Sequence, residues 1–353
     1  MKPINIGIVG TGWCGGIRAH ACADSAMVDQ LHIAEVKAER LEEIASETGA
    51  TTATADYQDL LKIDDIDAII ISATPETTHF PMARDSLLAG KHVFLEKPIA
   101  ITLSEADELV KLARTKNLKF TIGYSQRFNP KYAYVKKCLD EGTLGDPVSA
   151  LVSRHITRNL GKKISGRIKL SPAAMEATHD IDFVLWCLAP ARPIRVYAQQ
   201  VEKVMKKTHD AADCMWIIIT MDDGTAFTIG AGWILPPGYP NYSSTTIEFV
   251  GTEGALMIDD SHRDVLLNTM SGGMMLPIST MPGESVGHVF AGPMAQETLH
   301  FVDAVARDRP VLVTPEQARQ VMEVYIAADL SAERNEPVTL PLNRDPAIAA
   351  ALA

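Results

Sequence analysis

The sequence has no C-x-x-C pair, no apolar run approaching the roughly 18 residues that span a bilayer, no internal repeat and no low-complexity linker. Its five cysteines (Cys14, Cys22, Cys138, Cys187, Cys214) are scattered and odd in number, which argues against a disulfide framework or a zinc site and for a reducing compartment. No metal is expected. Cationic residues are in deficit, 33 Lys and Arg against 44 Asp and Glu, a formal net charge of −11. A field of that sign repels phosphate backbones and anionic lipid heads, so neither nucleic acid nor a membrane is an expected partner. The chain runs from Lys2 straight into Ile4–Val9 without the apolar core or cleavage site of a signal peptide, and the cytoplasm is the expected location.

What is present is an ordinary globular composition, 46% hydrophobic and 22% charged over 353 residues, enough for one large or two medium domains. The first third alternates short β-branched runs (Ile4–Val9, Leu31–Val36, Ala68–Ser72, His92–Phe94, Lys119–Ile122) with helical patterns at Gly15–Ala26, Ala38–Thr48, Thr78–Ala89 and Ser104–Thr115. That alternation predicts an α/β domain, a doubly wound parallel sheet, over residues 1–123. Past Gly123 longer strands follow one another (Val148–Thr157, Ile194–Val204, Cys214–Met221, Ala226–Leu235, Ser244–Val250, Ala255–Ile258), interrupted by helices at Ser171–Leu188, Pro293–Arg307 and Pro315–Arg334. Residues 124–353 are therefore expected to form an α+β domain with a large open, mostly antiparallel sheet, and Met270–Pro282 a long loop or flap.

Gly10-Thr11-Gly12-Trp13-Cys14-Gly15 fits G-x-G-x-x-G directly after a strand and at the opening of a helix. Gly10 permits the tight turn, Gly12 lets backbone approach a pyrophosphate, Gly15 lets helix pack on strand, and the helix N-terminus attracts phosphate. Glu35, at the end of the second strand, stands where a carboxylate would accept the adenosine ribose hydroxyls and repel a 2′-phosphate, favouring NAD over NADP; a solvated strand end is the alternative. Glu96-Lys97-Pro98 lies at the carboxyl end of a strand of the same sheet, where such sheets bind ligands. Further along, Ser171-Pro172 starts a helix on which Met175, His179, Asp182 and Trp186 share a face with Glu176 on its flank. A histidine with a carboxylate one turn away suits a general base and its orienting partner, although a structural histidine would look similar.

Together, the Gly10-x-Gly12-x-x-Gly15 start, Glu96-Lys97-Pro98, Arg127-Phe128-Asn129-Pro130, His179-x-x-Asp182-x-x-x-Trp186 and Gly251-Thr252-Glu253-Gly254 occur in the order and spacing of the Gfo/Idh/MocA oxidoreductase family. The chain resembles that family over nearly its whole length, and within it the inositol and sugar or nucleotide-sugar dehydrogenase branches. The resemblance implies an N-terminal Rossmann domain, a C-terminal domain whose open sheet mediates homodimers or homotetramers, and NAD as cofactor. It further implies that Lys97 contacts the substrate hydroxyl and nicotinamide ribose, and that His179 exchanges a proton with the reacting oxygen. Members commonly carry an aspartate four residues before that histidine; here the position is Met175, which leaves Glu176, Asp182 or Asp180 for the third role. The cofactor site is expected to include Thr11, Trp13, Cys14, Ala73, Thr74, Pro75, His79, Glu96 and Arg127 beside the glycines, Glu35 and Lys97.

The expected reaction is oxidation of a secondary alcohol of a sugar, cyclitol or sugar derivative. Redox-neutral NAD-dependent glycoside cleavage, aldehyde or imine reduction, and a non-enzymatic NAD-binding sensor are the alternatives. Residues 154–169 hold Arg154, Arg158, Lys162, Lys163, Arg167 and Lys169 with His155 and no acidic residue, a solvated basic loop or a clamp for an anionic substrate. Arg154, Lys162, Lys163 and Arg167 are thus candidate substrate contacts together with Tyr124, which sits near Asn129 where the chain crosses between domains. Tyr239 and Tyr242 are candidates to stack on a sugar face or to line a subunit interface.

Overall fold

The computed structural model describes residues 2–240, 243–261, 267–275 and 285–344. The chain divides into two compact units, Met1–Asn129 with Met281–Arg319, and Pro130–Thr280 with Gln320–Ala353. The division is therefore not a single cut after Gly123, because a later segment returns to the first unit.

In the first unit six strands, β1 (Ile4–Val9), β2 (Val28–Ala34), β3 (Thr52–Thr54), β4 (Ala68–Ile71), β5 (His92–Glu96) and β6 (Phe120–Gly123), form one parallel sheet in the order β3-β2-β1-β4-β5-β6. This is the doubly wound order of a dinucleotide-binding fold. The helices between them are α1 (Trp13–Ala23), α2 (Ala38–Thr48), α3 (Tyr57–Leu61), α4 (His79–Leu88) and α5 (Leu103–Thr115). The central strands carry no alternation because both faces are covered, and every side chain of β4 is fully buried. Ile6, Ile8, Ile33, Ile70 and Phe94 make the core with Phe301 and Val302 of the Pro293–Ala306 helix, which is why that distant segment belongs to this unit. Helix α5 starts one turn-half earlier than Ser104 suggests. Thr102 caps it and Glu105 closes the reciprocal bond of a capping box, a pattern that Ser104 with Asp107 imitates.

The second unit is built on a seven-stranded sheet. Its elements are α6 (Pro130–Asp140), β7 (Pro147–Thr157), α7 (Arg158–Ser165), α8 (Thr178–Leu188), β8 (Pro193–Val201), α9 (Val204–His209), β9 (Cys214–Met221), β10 (Ala226–Leu235), β11 (Ser243–Gly251) and β12 (Ala255–Asp259). The order is β12-β11-β7-β10-β9-β8 followed by Val338–Thr339, and all pairs are antiparallel except β7 with β10. One face packs on helices through an aromatic chain, Tyr132 of α6 on Phe183 of α8 at 4.7 Å and Phe183 on Phe249 of β11 at 5.9 Å. The other face is open, and register aligns Met257, Glu248, Leu151, Thr228, Ile218 and Tyr197 in one row across six strands.

Three parts of this unit differ from the sequence expectation. The basic stretch is not a loop from end to end: Arg158–Ser165 is helical because Leu160 and Ile164, one turn apart, pack on Ile156, Met175 and Trp233 while the lysines point outward. Gly161 permits that contact, since a Cβ there would lie 2.5 Å from Trp233. Ser171–Leu188 is not one α-helix but a π turn, Ala173–Ala177, running into α8. Of Met270–Pro282, Gly273–Met275 pairs with the preceding Leu267–Thr269 as a short hairpin, and 276–284 lie outside the described residues, as does Tyr242.

Both units bury histidines in the neutral state. His32 of β2 is 3% exposed with neither ring nitrogen hydrogen-bonded, and burial, joined by Arg154, pulls His155 of β7 down to about 4. Burial likewise lowers His32. A base whose folded pKa is depressed stabilises the fold above its unfolded value, near 6.5, and this stabilisation is lost as the unfolded chain takes up protons first. Urea unfolding at pH 7.5, 6 and 4.5 is expected to show stability falling below about pH 6.5, with a shallower fall in His155→Gln. A flat profile in both proteins would contradict neutral burial.

Candidate functional site

The glycine loop follows from strand β1 feeding helix α1. Gly10 has φ +81°, and a Cβ on it would sit 2.7 Å from the Ala73 backbone beyond β4; a Cβ on Gly15 would sit 1.9 Å from the Gly10 carbonyl oxygen. These two glycines are required by the chain's own packing. Gly12, the N-cap of α1, has nothing among the described residues within 4 Å of such an atom. An exposed backbone at the positive end of an 11-residue helix is the feature an incoming pyrophosphate needs. The residues present therefore fit a dinucleotide. Trp13 beside it is 55% exposed.

Glu35 is not a solvated strand end, for it is only 8% exposed. Its Oε2 accepts the Thr11 N–H at 2.7 Å and the Thr11 hydroxyl at 3.1 Å, and its Oε1 accepts the Lys37 N–H at 3.0 Å. Burial raises its pKa, but these donors outweigh it and hold the carboxyl below its ordinary value, so it is ionised at neutral pH. The carboxylate thus fixes the glycine loop from the end of β2. Arg40, which the sequence reading did not single out, also grips the loop through Nε to the Thr11 carbonyl oxygen at 2.7 Å.

At the end of β5, Glu96 lies under Arg18 of α1. The guanidinium is 1% exposed and donates to Glu96 Oε1 from Nε at 3.0 Å and from Nη2 at 2.6 Å, to Glu297 Oε2 at 2.9 Å and to Thr298 Oγ1 at 2.8 Å, while resting 4.0 Å over the Phe94 ring. Burial works against its charge, but Glu96 and Glu297 more than compensate and hold it protonated. Lys97 is half-buried and Pro98 buried. His79, expected to touch cofactor, is 1% exposed and stands between two backbone carbonyls, Nδ1 at 2.8 Å from Pro98 O and Nε2 at 3.1 Å from Ala73 O. Thr74 and Pro75 are exposed beyond Ala73. The Cys14 thiol feels Glu96, Arg18 and Lys97, but burial above all pushes it up to about 12, so it is a neutral thiol at physiological pH and no nucleophile.

Tyr124 and Arg127 follow β6 in the same unit, 1% and 3% exposed. Arg127 donates from Nη1 to the Leu312 carbonyl at 3.0 Å and to Gln317 Oε1 at 2.9 Å, so one arm of the group read as a cofactor contact ties down the 312–317 segment.

In the second unit His179 lies in the first turn of α8, directly after the π turn. Met175 joins the apolar cluster with Ile156, Ile164 and Trp233, so the position where the family carries aspartate is here part of a dry core. Glu176 is held by Arg154 of β7, Nη1 to Oε2 at 3.1 Å, and the same guanidinium reaches the Glu176 carbonyl and takes Asp180 through Nε at 2.8 and 3.1 Å. Arg154, its side chain 12% exposed, is thus the partner of two carboxylates, and Glu176 is paired to that arginine. Asp180 and Asp182 are both fully buried. Of the remaining cations, Lys169 donates to the His209 and Asp210 carbonyls at the end of α9, whereas Lys162, Lys163 and Arg167 are exposed.

An open-ended dinucleotide cradle on a 3-2-1-4-5-6 sheet, paired with an α+β unit that carries the second set of chemistry-bearing residues, defines an NAD-binding oxidoreductase. The chain belongs to the Gfo/Idh/MocA family: residues 4–124 match the model of its NAD-binding Rossmann fold and residues 136–340 that of its C-terminal alpha/beta domain. Among curated relatives, the scyllo-inositol 2-dehydrogenase (NAD(+)) of Bacillus subtilis is 27% identical over 86% of each chain, and the UDP-N-acetylglucosamine 3-dehydrogenase of Acidithiobacillus ferrooxidans is 24% identical over 94% of this chain and 98% of that one. The crystal structure of scyllo-inositol dehydrogenase from Lactobacillus casei with bound NAD(H) and scyllo-inositol shares the fold, with a TM-score of 0.83, 24% identity, and coverage of 96% of this chain and 99% of that one.

The glycines separate folding from binding. Gly12→Ala is expected to keep the wild-type melting temperature and to weaken NADH binding by at least about tenfold, because the methyl meets only the ligand. Gly15→Ala is expected to lower stability by about 1–3 kcal/mol or more, because the methyl meets Gly10. Equal effects on melting and on a fluorescence titration with NADH would remove the distinction.

Proposed function

We propose that this protein oxidises a secondary alcohol of a cyclitol or sugar-like polyol with NAD, with Lys97 and His179 acting on the reacting hydroxyl. The observation that carries the reading is the placement of Lys97 at the carboxyl end of β5, in the same sheet whose β1 and α1 present the open Gly12 cradle. Bound nicotinamide supplies the hydride acceptor. Lys97 places a positive charge where alkoxide character develops on the substrate oxygen, and His179 takes the hydroxyl proton. Glu176, paired to Arg154, is left to position the His179 turn, and Asp182, buried one turn further on, is the carboxylate assigned to orient the helix. The relatives named for inositol and for a nucleotide sugar support both the polyol and the family-level reaction.

Absorbance at 340 nm with NAD⁺ and a set of inositols, aldoses, uronates and nucleotide sugars is expected to rise with at least one of them. The rate is expected to fall roughly 10²–10⁴-fold in Lys97→Ala and in His179→Ala. Intact turnover in both variants would remove the assignments, and product without net NADH would favour redox-neutral glycoside cleavage. A charged sugar derivative is the second reading, favoured by the exposed Lys162, Lys163 and Arg167; it requires that Lys162→Glu with Lys163→Glu raise KM for the anionic members of the set and leave the neutral ones alone.

We further propose that a second copy of the chain covers the open sheet face. Leu151, Ile218, Tyr197, Trp216 and Met257 are between 37% and 66% exposed there, apolar side chains on one face with Glu248 and Thr228 among them, the kind of surface that marks an interface. Sedimentation velocity is expected to show a dimer or tetramer that dissociates in Ile218→Asp; a monomeric wild type would contradict it.

A further inference from the structure

We propose that Arg18 and His79 are positioning residues that hold Lys97 from its two sides, so that the ammonium is delivered by a clamped backbone rather than by a mobile loop. The inference rests on the role given to Lys97 above. On the N-terminal side, Glu96 is fixed by two donors of Arg18, and Phe94, two residues further back on β5, supports the same guanidinium. On the C-terminal side, Pro98 has no N–H and is anchored through its carbonyl oxygen, which faces His79 Nδ1 at 2.8 Å.

Each anchor also leads back to the glycine loop. Arg18 stands on α1, the helix that opens at Gly12, and Glu297 and Thr298 lock it from the Pro293–Ala306 helix. His79 Nε2 faces Ala73, the residue against which Gly10 packs. Lysine and cofactor cradle therefore share one rigid circuit, β1 to α1 to Arg18 to Glu96 in one direction and Pro98 to His79 to Ala73 to Gly10 in the other. A buried arginine between two carboxylates is a costly way to fill a core that apolar residues would fill equally well, which points to geometry as its use. Its partner Glu96, the residue before the lysine, says which geometry.

The test uses Glu297→Gln, Arg18→Lys, His79→Leu and His79→Gln in the full chain, with active sites counted by NADH titration. Per NADH-binding site, kcat is expected to fall about 10–100-fold in His79→Leu and Glu297→Gln, with the NADH Kd within about threefold of wild type. His79→Gln is expected to recover much of the rate, since its amide can donate to the Pro98 carbonyl. A purely structural role would lower the yield of sites and leave kcat per site unchanged, and that result overturns the proposal. A second readout needs no substrate: acetylation of Lys97 by trace acetic anhydride, measured by mass spectrometry against exposed Lys116, is expected to change in His79→Leu and Glu297→Gln. Unchanged acetylation in both overturns the clamp. Turnover surviving in Lys97→Ala would instead overturn the role of Lys97, leaving the acetylation ratio to decide the clamp.

Discussion

The interaction on which the first unit depends is the buried fork of Arg18 between Glu96 and Glu297. A guanidinium taken out of water is tolerated only where its charge and nearly all its donors are met, and here two carboxylates, a hydroxyl and an aromatic face meet them. Because those partners come from β5 and from a helix far along the chain, satisfying one side chain forces three elements into register. The parallel sheet brings the strand ends to one edge, and the arginine fixes how the ends of β1 and β5 are spaced there.

The second unit repeats the device. Arg154 is forked between Glu176 and Asp180, and burial of its charge is outweighed by those same two carboxylates. In each unit, then, an arginine holds acids placed beside the residue proposed to do chemistry: Glu96 is next in sequence to Lys97, and Glu176 and Asp180 lie on either side of His179. The basic charge that a reading of the sequence assigns to substrate is partly consumed in this way, and what remains outside is the lysine face of α7.

The parts of the fold that could be read in advance are those whose physics is local. Fully buried runs such as Ala68–Ile71, the helical pattern of Ala38–Thr48, and a glycine loop between strand and helix announce themselves within a dozen residues. Strand β3 does not, being three residues at a sheet edge, two half-buried and one exposed. Helix α7 does not, because Gly161 interrupts its apolar pair and the lysines mimic a loop. The π turn leaves no period to detect. In the candidate site, spacing alone singles out Gly12, Glu35 and Lys97 as proposals, whereas Arg18 with Glu297, 279 residues apart, and Arg154 with Glu176 exist as pairs only after folding.

The central claim is that a carbon-bound hydrogen of a polyol leaves as hydride for NAD. Its most direct measurement is mass spectrometry of the NADH formed from NAD⁺ and a polyol deuterated at its ring carbons. The account predicts NADH heavier by one deuterium, placed at C4 of the nicotinamide ring, and formed far more slowly in His179→Ala. Recovery of unlabelled NADH, or of deuterium in water with no NADH formed, would contradict it.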